Sequence, residues 1–131
     1  MEIFNVLATA SASFVFGAIC YMVLSDPWMT ASGVVRDADG KPLNSSNQCP
    51  YILSAISAIV VAGMMRHVLA ASGVTSIPSG AIAGFGIGAF LIVPWMMMNN
   101  EFAGKPFQLT VIDGGYAVIG CTLMGAVLMA F

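Results

Sequence analysis

Apolar residues in this sequence gather in four long runs, and polar residues are concentrated between them. The runs cover residues of about 3–25, 51–71, 77–98 and 107–131. Each is close to the roughly 20 residues that an α-helix needs to cross a lipid bilayer. Backbone groups in lipid must be hydrogen-bonded within the segment, so we predict a helix for each run. None of the runs shows the alternating pattern of about ten residues that a membrane β-barrel strand requires.

The connections between the runs predict how the helices are arranged. The first connection, residues 26–50, is the only long one, and its Asp39-Gly40 step indicates a tight turn or small hairpin. This stretch also faintly resembles a calcium-binding loop, but it lacks the later ligands, which favours the turn. The other two connections are short. Because short connections make neighbouring helices antiparallel, we predict an all-α integral membrane protein, a four-transmembrane-helix up-and-down bundle that forms one domain over residues 1–131.

Composition makes the lipid bilayer the expected partner of the chain. Hydrophobic residues make up 59% of the 131 positions and charged residues only 8%, whereas a soluble domain carries roughly 25% charged residues. The net charge of −2, without a basic patch, argues against nucleic acid as a partner. The three cysteines follow no metal or disulfide spacing. We therefore expect no metal site and no cofactor.

The third apolar run carries a clear signal for close helix packing. Gly80, Gly84 and Gly88 are spaced four residues apart, so they share one face of the predicted helix. Small residues at this spacing let two helix backbones approach closely in lipid. The face can pack inside the bundle, or it can form an interface between subunits, and the sequence leaves both interpretations open.

Asp113 is the polar residue that is hardest to explain in the apolar runs. An acidic side chain inside a membrane is costly and usually faces a partner or a water-filled cavity. Tyr116 shares its helix face, while Tyr21 and the Asn99–Asn100 pair should lie at a similar depth. We predict a polar cluster of Asp113 with Tyr21 or the asparagine pair, near the end of the bundle that holds the long loop. A structural role and a functional role for Asp113 are both open.

A second polar group should lie near the opposite end of the bundle. Arg66 and His67 come about five residues before the end of the second run, at a depth close to Glu2. Arg66 can extend to the lipid headgroups, and His67 can hydrogen-bond to a neighbouring helix. These residues do not form the converging nucleophile, base or metal cluster of a catalytic site. We therefore expect no catalytic residues and no enzyme activity.

Two stretches of the sequence resemble a bacterial family of membrane proteins. One is "FVFGAICYMVLSDPW", where the family typically has a glycine, then an aromatic pair and a later tryptophan around the end of the first helix. The other is "FAGKPFQLTVIDGGYAVIGCTLMGAVL", with a basic-proline step, Ile-Asp-x-Gly-Tyr and a late Met-Gly. The chain resembles domain-of-unknown-function family 1761, although Cys20 stands where that family often has tryptophan. The resemblance implies a small multi-spanning bacterial membrane protein and implies no particular activity.

These observations favour a structural or accessory role, either as a homo-oligomer or within a larger membrane complex. The alternative is a minimal channel or transporter for an ion or small solute. We expect the protein in the bacterial cytoplasmic membrane. Arg36, Lys41 and Lys105 lie at the end of the bundle that holds the long loop, so the positive-inside rule predicts that loop 26–50 is cytoplasmic.

Overall fold

The computed structural model describes residues 2–131, which form six α-helices and one π-helical turn. The helices are α1 (Glu2–Val23), α2 (Ser25–Ser32), α3 (Cys49–Ala71), α4 (Ile77–Ile87), α5 (Val93–Phe102) and α6 (Phe107–Leu128), and the π-helical turn Gly88–Ile92 joins α4 to α5. Within these residues there is no β-strand, only one isolated bridge.

The predicted all-α membrane class is confirmed. Four helical segments are long and apolar enough to cross a membrane: α1, α3, the continuous segment from α4 through α5, and α6. The chain is therefore a multi-pass membrane protein. Met1, part of the predicted single domain, lies outside the described residues. The single-domain organisation and the up-and-down order of the spans across a bilayer remain predictions.

The helix bounds differ from the sequence prediction mainly in the long connection. Residues 26–50 were predicted as a loop, but Ser25–Ser32 form the short helix α2. Pro27 lies in the first turn of this helix, where its missing N–H costs nothing. The helix ends at Gly33, which adopts the left-handed conformation (φ 75°) that glycine allows. Pro27 and Gly33 are the local signals for this short helix, but the low hydropathy of the stretch favoured a loop in the sequence prediction. The third span also continues to Phe102, four residues beyond its predicted end.

The turn predicted at Asp39-Gly40 is present. Arg36 and Pro42 form an antiparallel bridge around it, and Gly40 has a φ of 78°. The carboxylate of Asp37 accepts hydrogen bonds of 2.9 Å from the backbone N–H groups of Asp39 and Lys41. Because the Asp37 side chain is used to close the turn, the turn interpretation holds over the calcium-loop interpretation.

The closest helix packing joins α4 to α6 through the predicted glycine face. A methyl group added to Gly80 would overlap the backbone of Gly125, and one added to Gly84 would overlap the carbonyl group of Cys121. One added to Gly88 would come 2.7 Å from the Cα of Val118. The glycine face is therefore occupied within the chain, which resolves the choice between packing inside the bundle and a subunit interface.

The packed core lies in the half of the bundle away from the long loop, which we call the far half. Its buried residues come from α1, α3 and α6, and they are Ala10, Ala62, Met65, Leu69, Cys121, Met124 and Leu128. The Asn5 side chain donates a hydrogen bond of 3.0 Å to the Leu128 carbonyl, which ties the start of α1 to the end of α6. The opposite half, which we call the loop half, is packed differently. No residue between 49 and 61 in α3 is buried.

Candidate functional site

Asp113 is the centre of a hydrogen-bonded cluster in the loop half. It lies on α6, six residues after the helix begins at Phe107. The Tyr21 hydroxyl donates to Asp113 Oδ1 over 2.6 Å, and the Trp28 indole N–H donates to the same oxygen over 3.1 Å. The end of α1 and the short helix α2 thus meet α6 at this carboxylate.

Aromatic rings surround these hydrogen bonds. The Tyr21 ring packs edge-on against Trp28 at a centroid distance of 5.6 Å and against Tyr116 at 5.3 Å. Tyr116 approaches α1 at Gly17, where an added Cβ would lie 2.9 Å from the Tyr116 ring. Gly17 is therefore the position that lets the Tyr116 ring lie against the α1 backbone.

A cleft of about 490 Å³ opens beside this cluster. This volume is within the roughly 300–1,000 Å³ of small-molecule sites. Apolar side chains from α3, the π-helical turn, α5 and α6 form most of its wall. Its polar lining residues are Ser13, Tyr21, Ser54, Ser57, Asp113 and Tyr116.

The loop half of α3 borders the cleft. In the far half α3 is held by the buried residues Ala62, Met65 and Leu69, whereas in the loop half its inner face borders the cleft. No Cα atom of α3 lies within 8 Å of one in α5 in the described chain. Because both helices line the cleft, we call the space between them the lateral gap.

The π-helical turn Gly88–Ile92 contributes to the wall of the cleft. Its wider winding is marked by the Val93 N–H, which donates to the carbonyl of Gly88, five residues earlier. Pro94 follows at once and cannot donate to an earlier carbonyl. Ile92 in this turn and Met96 in α5 line the cleft. Single π-helical turns often occur at functional sites.

The Asp113 carboxylate is only partly satisfied by the protein. Both hydrogen bonds go to Oδ1, and Oδ2 accepts none from residues 2–131. No side-chain oxygen or nitrogen in this part of the chain is both sealed from solvent and without a partner, so Oδ2 remains accessible. No lysine, arginine or histidine lines the cleft, and the salt bridges of residues 2–131 do not include Asp113.

The structure brings the predicted tyrosines to Asp113 but gives the predicted asparagines other surroundings. Tyr21 and Tyr116 lie beside Asp113 as the sequence suggested. Asn100 instead donates a hydrogen bond of 3.0 Å to the Thr110 hydroxyl, and Asn99 is exposed. Asn100 thus connects α5 to α6, and neither asparagine hydrogen-bonds to Asp113.

The second predicted polar group comes together in the far half. Arg66 Nη2 lies 3.7 Å from Glu2 Oε1, and both residues line a groove between α1 and α3 together with His67. Glu2 is largely exposed, and the ion pair is loose. This group is far along α3 from the Asp113 cleft.

Sequence reasoning missed four polar or aromatic residues that the structure shows in contact roles. Trp28 was not among the predicted cluster residues, although its indole N–H donates a hydrogen bond to Asp113. Ser54 and Ser57 were not among the predicted site residues, although both line the cleft. Asn5 was not singled out, although it is buried and caps the end of α6. The spacing of Asn5 and Thr9 on one helix face was the available signal for a buried polar stripe.

Residues 2–131 contain no group of three or more histidine, cysteine, aspartate or glutamate side chains that could hold a metal ion. The cleft instead combines one carboxylate, hydroxyl groups, aromatic rings and apolar walls. Such a lining is suited to bind a small organic molecule by charge, hydrogen bonds and apolar contact.

Comparison with known proteins identifies the family of the chain. The model of the family described as "Protein of unknown function (DUF1761)" matches residues 4–129, nearly the whole length. The chain belongs to this family, which confirms the resemblance found in its motifs. No curated protein and no solved structure matches the chain.

Proposed function

We propose that this member of the DUF1761 family is a minimal transporter that binds a small solute in the Asp113 cleft and is not an enzyme. One observation carries the proposal. A carboxylate within a membrane span keeps one oxygen free beside a cleft of about 490 Å³.

The depth of Asp113 makes this arrangement functionally informative. Six residues at 1.5 Å each place it about 9 Å along α6 from the helix start. Even this close to the end of a span, an acidic side chain is uncommon and usually marks a substrate or ion pathway. The two protein donors use only Oδ1, so the second oxygen of Asp113 is available to a bound solute.

The packing supports a carrier more than an open channel. The far half is closed by Ala62, Met65 and Leu69 of α3 and by Leu128 of α6, all of which are buried. A solute bound in the loop half would cross only if these packed segments moved apart. Because α3 is held at one half only, a tilt of α3 is the simplest motion that could do this.

Uptake by reconstituted vesicles tests the proposal. Purified protein in liposomes is given a mixture of small amines, carboxylic acids, sugars and neutral solutes, and vesicle contents are measured by mass spectrometry. Ser57→Trp should fill the cleft and stop uptake. Ile56→Trp is the matched control, because it introduces the same side chain at the preceding residue, whose exposed side chain does not line the cleft.

We expect at least one solute to enter wild-type and Ile56→Trp vesicles faster than protein-free vesicles, and Ser57→Trp to abolish the difference. Uptake that is no faster than in protein-free vesicles for every solute would refute the transport proposal. Uptake that is unchanged in Ser57→Trp would show that the cleft is not the route.

A structural or accessory role, as a homo-oligomer or within a larger complex, is the second candidate. It is supported by the loop half of α3, where Tyr51, Ile52, Leu53 and Ile56 are each more than half exposed. A photo-cross-linking residue at Leu53 in native membranes should then yield a discrete product. A product of twice the monomer mass would indicate a homo-oligomer, another mass a different subunit, and lipid adducts alone would contradict the role.

We also propose that the protein lies in a bacterial cytoplasmic membrane with residues 26–50 in the cytoplasm. Arg36, Lys41 and Lys105 all lie at the loop end, and the Lys105 ammonium group binds the Ser32 carbonyl there over 2.7 Å. By the positive-inside rule the termini then face the other side. A reporter fused after Phe131 that is active only in the cytoplasm would reverse this orientation.

A further inference from the structure

We propose that the Asp113 cleft selects amphipathic organic cations, molecules with a protonated amine and a short apolar tail, that enter sideways from the loop-end leaflet. This inference rests on the proposed solute-binding function and names its substrate class. It is carried by the charge of the cleft, the chemistry of its wall and the position of its opening.

The charge of the cleft favours a cation. Asp113 is the only acidic or basic residue among those that line the cleft, and residues 2–131 place no cation on it. Its two donors, the Tyr21 hydroxyl and the Trp28 indole, are neutral. A carboxylate away from bulk water is stabilised strongly by a bound cation. The free Oδ2 is the acceptor that an ammonium N–H group could use.

The wall of the cleft distinguishes an organic cation from an inorganic one. Calcium takes six to eight oxygen ligands, and magnesium requires a complete octahedron. Here one carboxylate and scattered hydroxyls are mixed with apolar side chains such as Leu53, Val61 and Ile92. The rings of Tyr21 and Tyr116 also line the cleft, and aromatic faces attract organic ammonium groups. An alkylammonium ion matches both parts of this lining.

The opening indicates how such a molecule arrives. The lateral gap lies between α3 and α5, where no Cα atoms approach within 8 Å. Asp113 is only about 9 Å along α6 from its loop-end start, close to the depth where amphipathic cations rest with their charge at the interface. The amine can therefore meet Asp113 while its tail remains in an apolar environment.

Tryptophan fluorescence provides a direct test. The chain has two tryptophans, and Trp95 is exposed and does not line the cleft. Trp95→Phe leaves Trp28, which contacts Asp113, as the only reporter. This parent protein in nanodiscs is titrated with octylammonium chloride, and in parallel with 1-octanol, a neutral probe of the same length. The midpoint of the fluorescence change is measured for each probe.

Two added substitutions separate the charge of Asp113 from other effects. Asp113→Asn removes the charge but keeps an oxygen that can accept from Tyr21 and Trp28. Asp39→Asn makes the same chemical change in the exposed turn, far in sequence from the cleft. The probe partitions into the lipid to the same extent with either variant, so a difference between their midpoints arises from the protein.

We expect Asp113→Asn to raise the octylammonium midpoint about tenfold or more, the typical effect of losing a charged hydrogen-bond partner. Asp39→Asn should match the parent, and the octanol midpoint should be the same in all three proteins. Equal octylammonium midpoints in Asp113→Asn and the parent would overturn the inference. The transport proposal would then stand or fall on the uptake assay, which includes neutral and anionic solutes.

A second comparison covers the case in which Asp113→Asn does not fold. In the parent alone, each midpoint is corrected for probe partition into protein-free nanodiscs. Tighter binding of octylammonium than of octanol supports cation selection. Equal binding, tighter binding of octanol, or no response to octylammonium overturns it.

Discussion

Adding a single methyl group to α4 tests the closest helix contact in the protein. At Gly84 an added Cβ would overlap the carbonyl group of Cys121 and come 3.1 Å from the Cα of Thr122. At Gly86, two residues along the same helix, it would meet nothing within 4 Å. Gly84→Ala and Gly86→Ala are therefore the same chemical change on two sides of one helix.

The matched pair isolates the cost of overpacking. Alanine favours a helix over glycine by roughly 0.5–1 kcal/mol, and this gain is common to both variants. At Gly84 the atoms in the way belong to backbone, which cannot rotate aside as a side chain can. Forcing extra volume into a packed contact costs typically about 1–3 kcal/mol. We expect Gly84→Ala to be less stable than Gly86→Ala by about this amount, and Gly84→Leu to be less stable still.

The free energy of unfolding can be measured in mixed micelles with a rising mole fraction of sodium dodecyl sulfate, followed by far-ultraviolet circular dichroism. Gel filtration of the same samples records the size of the particle. Gly86→Ala should unfold at or slightly above the wild-type midpoint, and Gly84→Ala clearly below it. Size should not change in either variant, because the glycine face is filled by α6 of the same chain.

Equal stability of the two alanine variants would refute the packing of α4 on α6 at this spacing. A Gly84→Ala protein that keeps its unfolding midpoint but elutes at a smaller size would show instead that the glycine face joins subunits.

Substitutions at three other positions test the polar and aromatic contacts. Asp113→Asn should leave the unfolding free energy nearly unchanged, whereas Asp113→Leu should lower it by about 1 kcal/mol or somewhat more, since two donors lose their acceptor; equal effects in the micelle assay would contradict this. Asn5→Leu should lower the unfolding free energy by about 1 kcal/mol by leaving the Leu128 carbonyl without its side-chain donor, and an unchanged midpoint would show that this bond is dispensable. Gly17→Ala should displace the Tyr116 ring and shift the near-ultraviolet circular dichroism of the aromatic residues, and an identical spectrum would contradict the contact.

Much of the architecture could be predicted because the signals are local. A run of about 20 apolar residues must form a helix in lipid whatever surrounds it. Four such runs are present, and their bounds were accurate to within a few residues except at the end of the third span. The glycine spacing likewise indicated a close contact, since it depends only on helix geometry. The sequence could not say which helix fills that face, because any small-residue stripe in the chain would have fitted.

The candidate site was less predictable because its parts come from distant segments. The depth of Tyr21 and Asp113 could be counted along two helices, which made Tyr21 one of two candidate partners, and the structure shows their hydrogen bond. The depth of Trp28 could not be counted in the same way, because Trp28 lies in the predicted loop. It reaches Asp113 only because the loop begins with the short helix α2, whose Met29 and Ala31 are buried against the bundle.

The sequence by itself determined that this chain is a membrane protein with four helical spans and an acidic residue inside the last of them. Hydropathy and helix period act over one segment at a time, so one sequence suffices to read them. Only the tertiary structure decided that α4 packs on α6, that α3 is held at the far half alone, and that a cleft opens beside Asp113. Those features depend on how side chains from several helices fill space together, and the length and polarity of each helix do not specify that arrangement.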